Sequence, residues 1–215
     1  MERVGLLPAA GMAQRLGNIE CKELLPFHGR PVVDHSLRLL HDVGVDRVVL
    51  VLRRGKEAIL EHVVRSPLVH RLEVVWQERE IGNLVEAFRV AAPHLGGAHV
   101  MMCLPDTWMV PNPFIRQPNL LTEEADLALH CFRTATQWKH FGVVDSETGR
   151  VTNKPTEYSG SLCWGALEWG PRLTDSLATV DDLDDLLNGR RASWAETIDD
   201  YVDIGLHPGI SDGVD

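Results

Sequence analysis

Basic residues are scarce in this 215-residue sequence, lysine above all: four lysines stand beside seventeen arginines, and the formal net charge is −10. Non-specific nucleic-acid binding rests on a basic face that neutralises phosphates, so nucleic acid is not expected as a partner. Paired cysteines are missing too. Cys21, Cys103, Cys131 and Cys163 lie far apart, with no CxxC pair and no Cys/His zinc spacing. Free buried thiols in a reducing compartment are expected instead of a disulfide or zinc scaffold. No stretch reaches the ~18 apolar residues of a membrane span. The apolar part of the N-terminus is also too short for a secretory leader, so the expectation is a cytoplasmic protein without membrane contact. Repeats, low-complexity tracts and linkers are absent. What is present is ordinary globular composition, 44% apolar and 24% charged, read as one domain over 1–215.

The negative charge is uneven. Residues 175–215 hold eleven acidic and two basic residues. Within them, Asp181, Asp182, Asp184 and Asp185 resemble a metal cluster, but Val180, Leu183, Leu186 and Leu187 repeat at helical spacing. A solvated helix face is the expectation.

Short apolar runs alternate with helical patterns along the chain. Strands are expected at 3–7, 47–52, 72–76, 99–104 and 126–132, with helices at 31–43 (ended by Gly44), 56–64 and 84–92. This rhythm predicts a mostly parallel mixed sheet covered on both faces, a three-layer α/β/α architecture of Rossmann-like type. After residue 140 the rhythm changes to a hairpin, 141–145 with 150–153, and one more strand at 162–169.

Ligands of open parallel sheets bind at the carboxyl ends of the strands. After the first strand comes Pro8-Ala9-Ala10-Gly11, leading to Arg15, a small-residue loop whose backbone N–H groups can approach phosphates. Gln77 and then Gly82 follow the third strand, and Pro105-Asp106 follows the fourth. A carboxylate at such a place suits Mg²⁺, which takes one or two carboxylates plus substrate phosphates. The loop is neither a GxxxxGK phosphate loop nor a GxGxxG dinucleotide loop, which excludes common kinases, ATPases and dehydrogenases. None of the ten histidines stands at HxH or HExxH spacing.

Taken in order, these pieces resemble the sugar-1-phosphate nucleotidylyltransferases, of the glucose-1-phosphate thymidylyltransferase type. The segment 7–16 is similar to that family's opening loop. Cys21-Lys22-Glu23-Leu24-Leu25-Pro26 with Gly29-Arg30-Pro31 is similar to its "PK-x-LLP…G-x-P" segment. Leu104-Pro105-Asp106 stands for its "L-G-D". Phe141-Gly142-Val143-Val144, Asn153-Lys154-Pro155 and Trp164-Gly165 follow its sugar-side order, and Asp203-Ile204-Gly205 resembles its late "D-I-G". Two of the four lysines, Lys22 and Lys154, fall on motif positions.

The resemblance implies a nucleotide-binding half over 1–135 and an acceptor half over 136–215. It implies transfer of a nucleoside monophosphate from an NTP to a sugar phosphate, with dTTP or UTP favoured, CTP open and self-association open. Arg15 and Lys22 would be catalytic. Ala9, Ala10, Gly11, Gln77 and Gly82 would hold the nucleotide, and Gly142, Asn153, Lys154 and Trp164 the acceptor. Asp106 and Asp203 would hold Mg²⁺. Read from their sequence surroundings, Gln77 fits an ordinary strand end equally well, Asp203 fits a buried acceptor, and Trp164 fits packing before a sugar platform.

Two departures bear on this. Ala13 stands where the family has a second loop glycine, and Asn153 where a sugar-contacting carboxylate is usual, which points away from glucose. A cytidylyltransferase for a non-sugar alcohol or cyclitol phosphate, and a silent nucleotide-sugar-binding subunit, are the competing readings.

Overall fold

The computed structural model describes residues 1–11, 21–78 and 83–206. The elements run β1 (Arg3–Pro8), β2 (Pro26–Phe27), β3 (Arg30–Pro31), α1 (Val32–Asp42), β4 (Arg47–Leu52), α2 (Glu57–Val64), β5 (Leu72–Trp76), α3 (Leu84–Ala91), β6 (His99–Cys103) and β7 (Thr107–Val110). They continue with α4 (Pro113–Arg116), β8 (Leu127–Arg133), β9 (Gly142–Val144), β10 (Val151–Asn153), β11 (Leu162–Trp169), α5 (Pro171–Ser176), α6 (Leu183–Asn188), β12 (Ala192–Glu196) and β13 (Asp200–Asp203).

Nine strands form one mixed sheet in the order β10-β9-β11-β6-β1-β4-β5, with β8 on β11 and β12 on β8. Strands β6, β1, β4 and β5 are parallel, β12 is parallel to β8, and β11 runs against β6, β8 and β9. With β10 opposed to β9, seven of the nine point one way, as the alternating pattern of the sequence predicts.

Each central strand feeds two cores. Along β4, Val49 and Val51 join one cluster with Val85, Phe88, Leu186 and Trp169, while Val48, Leu50 and Leu52 join another with Leu37, Ile59 and Val63. A strand buried on both faces therefore reads as a continuous apolar run, and β4 does. Cys103, Cys131 and Cys163 are buried and all four thiols are free. Burial pushes the Cys103 and Cys163 thiols up to about 12, so they are inert hydrophobic fillers.

Two elements absent from the sequence expectations complete the frame. The hairpin-like ribbon of β7 and β13 pairs Thr107 with Asp203 and Val110 with Asp200. Strand β12 closes the far edge beside β8.

The second core contains one polar chain. Glu168 on β11 accepts from His130 Nε2 at 2.8 Å and from His99 Nε2 at 3.0 Å, and His130 Nδ1 lies 3.1 Å from Thr197 Oγ1. Glu168 is 1% exposed. Burial alone would raise its pKa, but the two imidazole donors outweigh this and hold it below the ordinary value. A carboxylate held down in this way stabilises the fold fully above the unfolded glutamate value of about 4.3, and loses that contribution as the pH falls through the folded value. Glu168→Gln should therefore cost about 2–4 kcal/mol at pH 7.5 and flatten the acid limb of the stability curve, because the carboxylate is removed while its donors stay buried. Urea unfolding at pH 7.5 and pH 4 measures both. An unchanged acid slope would show that Glu168 does not carry the acid sensitivity.

Candidate active site

A cleft of about 560 Å³ opens at the carboxyl ends of the parallel strands. One wall comes from the end of β1 and the turn after it: Pro8, Ala10 and Gly11 line it. Ala9 does not. It is fully buried, and its N–H donates to Val51 O at 2.8 Å, so the sheet consumes the donor that the sequence reading assigned to the nucleotide. Gln77, buried at the end of β5, lines the cleft and donates its backbone N–H to Leu52 O at 2.7 Å. Arg15 and Gly82, like Ala13, lie outside the described residues.

The charged centre is built by the β7–β13 ribbon. Because Thr107 pairs with Asp203, Asp106 and Asp203 end adjacent strands side by side. The Ile204 N–H donates to Asp106 O at 3.1 Å, and the Gly205 N–H donates to Asp203 Oδ1 at 2.7 Å. Lys22, in a short 3₁₀ turn over Lys22–Leu24, forms an ion pair with Asp106. A Cβ built on Gly205 would lie 3.0 Å from Asp203 Oδ1 and 3.8 Å from Lys22 Nζ, so the ammonium faces both carboxylates. Burial disfavours that ammonium, yet Asp106 foremost, with Asp203 and Glu23, overrides burial and holds its pKa above the ordinary lysine value. Tyr201, stacked on Phe132 with centroids 4.0 Å apart, forms part of the floor. Burial, then Asp203 and Asp106, push its phenol well above its ordinary value.

Two carboxylates of this kind fit a hard cation such as Mg²⁺, which completes its shell with water and substrate phosphate. No third His, Cys, Asp or Glu among the described residues joins them in a metal-binding group. The donor set therefore fits a cation shared with a phosphate ligand, not a closed protein cage.

Gly142, Asn153, Lys154 and Trp164 form another part of the lining. A Cβ at Gly142 would overlap Trp164 Nε1, so glycine there lets the indole approach β9 closely. The ladder of β11 on β8 shifts register just after Trp164, between it and Ala166. Trp164 is both packed and lining: it is 6% exposed, and its Nε1 has no acceptor among the described residues.

Strand β10 is an edge strand whose outer side is capped by α6. Asn188 accepts the Val151 N–H and donates to Val151 O, each at 2.8 Å, and Asp184 Oδ1 accepts the Asn153 N–H at 3.0 Å. Lys154 follows with φ +48°, its N–H donating to Phe141 O at 2.8 Å.

Sequence reasoning missed several residues of this lining. The acidic segment is not simply a solvated face. Asp182 caps α6 by accepting the Asp185 N–H at 2.7 Å, and Asp181, Asp182 and Leu183 line the cleft. The apolar spacing located the helix but not the direction of its N-terminal turn. Asn83, which caps α3 by accepting the Glu86 N–H at 2.8 Å, also lines the cleft, as does His140. An Asn directly before an apolar helical run is a readable cap signal. His140 stands in no motif and carries no such signal.

A family model described as MobA-like NTP transferase domain matches residues 5–161. Among curated relatives, the Bifunctional protein GlmU of an Exiguobacterium strain is 30% identical over 105 residues, 48% of this chain and 22% of that protein. The GlmU of Listeria welshimeri is 32% identical over 96 residues, 45% of this chain and 20% of that protein. The chain thus matches about a fifth of the length of these relatives. A candidate glucose-1-phosphate thymidylyltransferase from Bacillus anthracis superposes with a TM-score of 0.84 at 14% identity, over 99% of this chain and 96% of that one. An inositol-1-phosphate CTP transferase from T. maritima superposes at 0.74 and 17% identity, over 100% and 98%. At these identities the likeness is one of fold.

The backbone at Lys154 yields a test that separates fold from site. A left-handed conformation costs a non-glycine residue about 1–2 kcal/mol, a strain that glycine escapes at a smaller entropic cost of about 0.5–1 kcal/mol. Lys154→Gly should therefore unfold within about 4 °C of the parent while removing an ammonium from the cleft. Thermal denaturation with and without inorganic pyrophosphate and nucleotide checks it. A loss of about 10 °C would mean that the lysine stem carries packing weight and is not held there for its charge.

Proposed function

The chain belongs to the family of MobA-like NTP transferase domains, and from that premise we propose that it transfers a nucleoside monophosphate from an NTP to a phosphorylated acceptor, releasing pyrophosphate. One observation carries the reading: Lys22, Asp106, Asp203 and Lys154 line one and the same cleft, with Lys22 paired to Asp106. A phosphate-to-phosphate reaction needs cationic charge at both ends of the line of attack.

The acceptor phosphate is already ionised, so no side chain has to act as nucleophile. One of its oxygens attacks the α-phosphorus; that O–P bond forms as the bond to the bridging oxygen breaks, and pyrophosphate leaves with the electron pair. The protein's task is orientation and charge neutralisation. Lys22 would face the α-phosphate and the leaving group, with Arg15 on the pyrophosphate side. The N–H groups of Ala10 and Gly11 would approach the nucleotide, and Gln77, together with Gly82, would edge the base. Lys154 would hold the acceptor phosphate, with Gly142, Asn153 and Trp164 around its alcohol part. Asp106 and Asp203 would hold Mg²⁺, which neutralises phosphate charge when bound.

The acceptor is a sugar phosphate or a sugar-like polyol phosphate. Asn153 removes one carboxylate acceptor for hydroxyls, but Asp181 and Asp182 line the same cleft and can accept in its place. The non-sugar reading stays open on this observation, since carboxylates accept from any polyol.

Pyrophosphate release from a matrix of NTPs against sugar, cyclitol and alcohol phosphates tests the proposal. One pair should turn over far above the rest. Binding of a nucleotide-sugar without any release would decide for a silent subunit. With the active pair, Asp106→Asn and Asp203→Asn should each lower kcat at least ~10²-fold, because the carboxylates serve charge that develops toward the transition state. EDTA should abolish turnover and Mg²⁺ restore it. Full activity of either variant would remove the two-aspartate centre.

A further inference from the structure

Outside the roles given above stands another lysine, and this one is fully buried. Lys56, which precedes α2, is fully inaccessible, and its Nζ sits 2.5 Å from Glu23 Oε1. Glu23 is the residue after Lys22 in the same 3₁₀ turn, is 1% exposed, and lines the cleft. Its second oxygen, Oε2, is buried with no hydrogen-bond partner among the described residues. Two ion pairs, Lys56 with Glu23 and Lys22 with Asp106, thus meet at consecutive residues of one turn. Resting on the reading of Lys22 as the phosphate-facing cation, we propose that the Glu23–Lys56 pair is a positioning device, in which Lys56 holds the Glu23 carboxylate and so leaves Lys22 to Asp106 and the cleft.

Glu23 and Asp106 are both carboxylates within electrostatic reach of the Lys22 ammonium. Without Lys56, a charged Glu23 would compete for Lys22, which is within its electrostatic reach. Lys56 removes this competition from the segment between β4 and α2. Its N–H donates to Arg53 O at 3.3 Å, just past β4, and its carbonyl accepts the Ile59 N–H at 3.1 Å, which ties it to the first turn of α2. Stability alone does not account for the pair. An apolar pair of similar volume would hold the turn on α2 without desolvating two charges or leaving a carboxylate oxygen unpaired.

The lysine count makes the test direct. Selectively ¹³Cε-labelled lysine gives four signals, one each for Lys22, Lys56, Lys139 and Lys154. Lys56→Met should delete its own signal and move that of Lys22; adding Glu23→Gln should return the Lys22 signal toward its parent position. In turnover, measured well below the unfolding temperature, Lys56→Met should lower kcat at least about tenfold with both KM values within about threefold, and the double variant should regain kcat to within about threefold of the parent. Lys56→Arg should keep most of the rate. A Lys22 signal indifferent to Lys56→Met overturns the proposal, as does a double variant no faster than the single one. If Lys56→Met does not fold, the double variant, which buries no charge at this place, is compared with the parent alone: a rate within threefold supports the proposal and a hundredfold loss overturns it. If the parent releases no pyrophosphate from any pair, the transferase reading has failed, and the lysine signals still decide whether Lys56 positions Lys22.

Discussion

The pairing of Thr107 with Asp203 is the constraint on which the rest of the site depends. It joins two segments that lie far apart in the sequence and brings Asp106 and Asp203 together. Two carboxylates in one desolvated place repel, so the ribbon needs a positive charge nearby in order to hold. Lys22 supplies it within the fold, and the backbone N–H of Gly205 supports the second carboxylate. A ligand that brings phosphates and a divalent cation changes the balance of this place rather than creating it.

The wall that carries Asn153 and Lys154 solves a different problem. Edge strands leave unpaired backbone groups, and a protein must cover or blunt them. Strand β10 is covered by side chains of α6: the Asn188 amide completes the ladder at Val151, and Asp184 completes it at Asn153. This fixes the residue that precedes Lys154 and delivers Lys154 in a left-handed turn that a lysine adopts only under constraint. Acidic residues that look like surface charge therefore act as backbone partners, and the same segment lines the cleft.

Much of this was legible. The strands β1, β4, β5 and β11 and the helices α1 and α3 follow the apolar periodicity almost to the residue, because burial on one or two faces dictates that pattern locally. The ribbon was not legible as a ribbon. Strands β7 and β13 are four residues each, too short for periodicity to register, and their pairing is non-local. Asp203 could be singled out by resemblance, but its neighbour across the ribbon could not. The Glu23–Lys56 pair escaped for a related reason: a salt bridge between residues 33 apart leaves no mark on either stretch of sequence. Ala9 shows the reverse error. A small residue in a glycine-rich loop suggests an open N–H, yet the strand runs one residue further and uses it.

The floor of the cleft explains why glycine and aromatic residues alternate in the motifs of the second half. Gly142 gives room to Trp164, and Gly165 gives room to Tyr201, whose ring would meet a Cβ there at 2.8 Å. The second of these brings an aromatic ring to the charged centre, where Tyr201 also stacks on Phe132 and meets Phe141 edge-on. Apolar rings there exclude water from below, and in such a setting the ion pair of Lys22 with Asp106 and any phosphate contact gain strength from the lower local dielectric. A side chain larger than hydrogen at 142 or 165 would displace these rings and admit solvent beneath the site. The glycines are thus required less for backbone freedom than for the dryness that makes a few fixed charges sufficient.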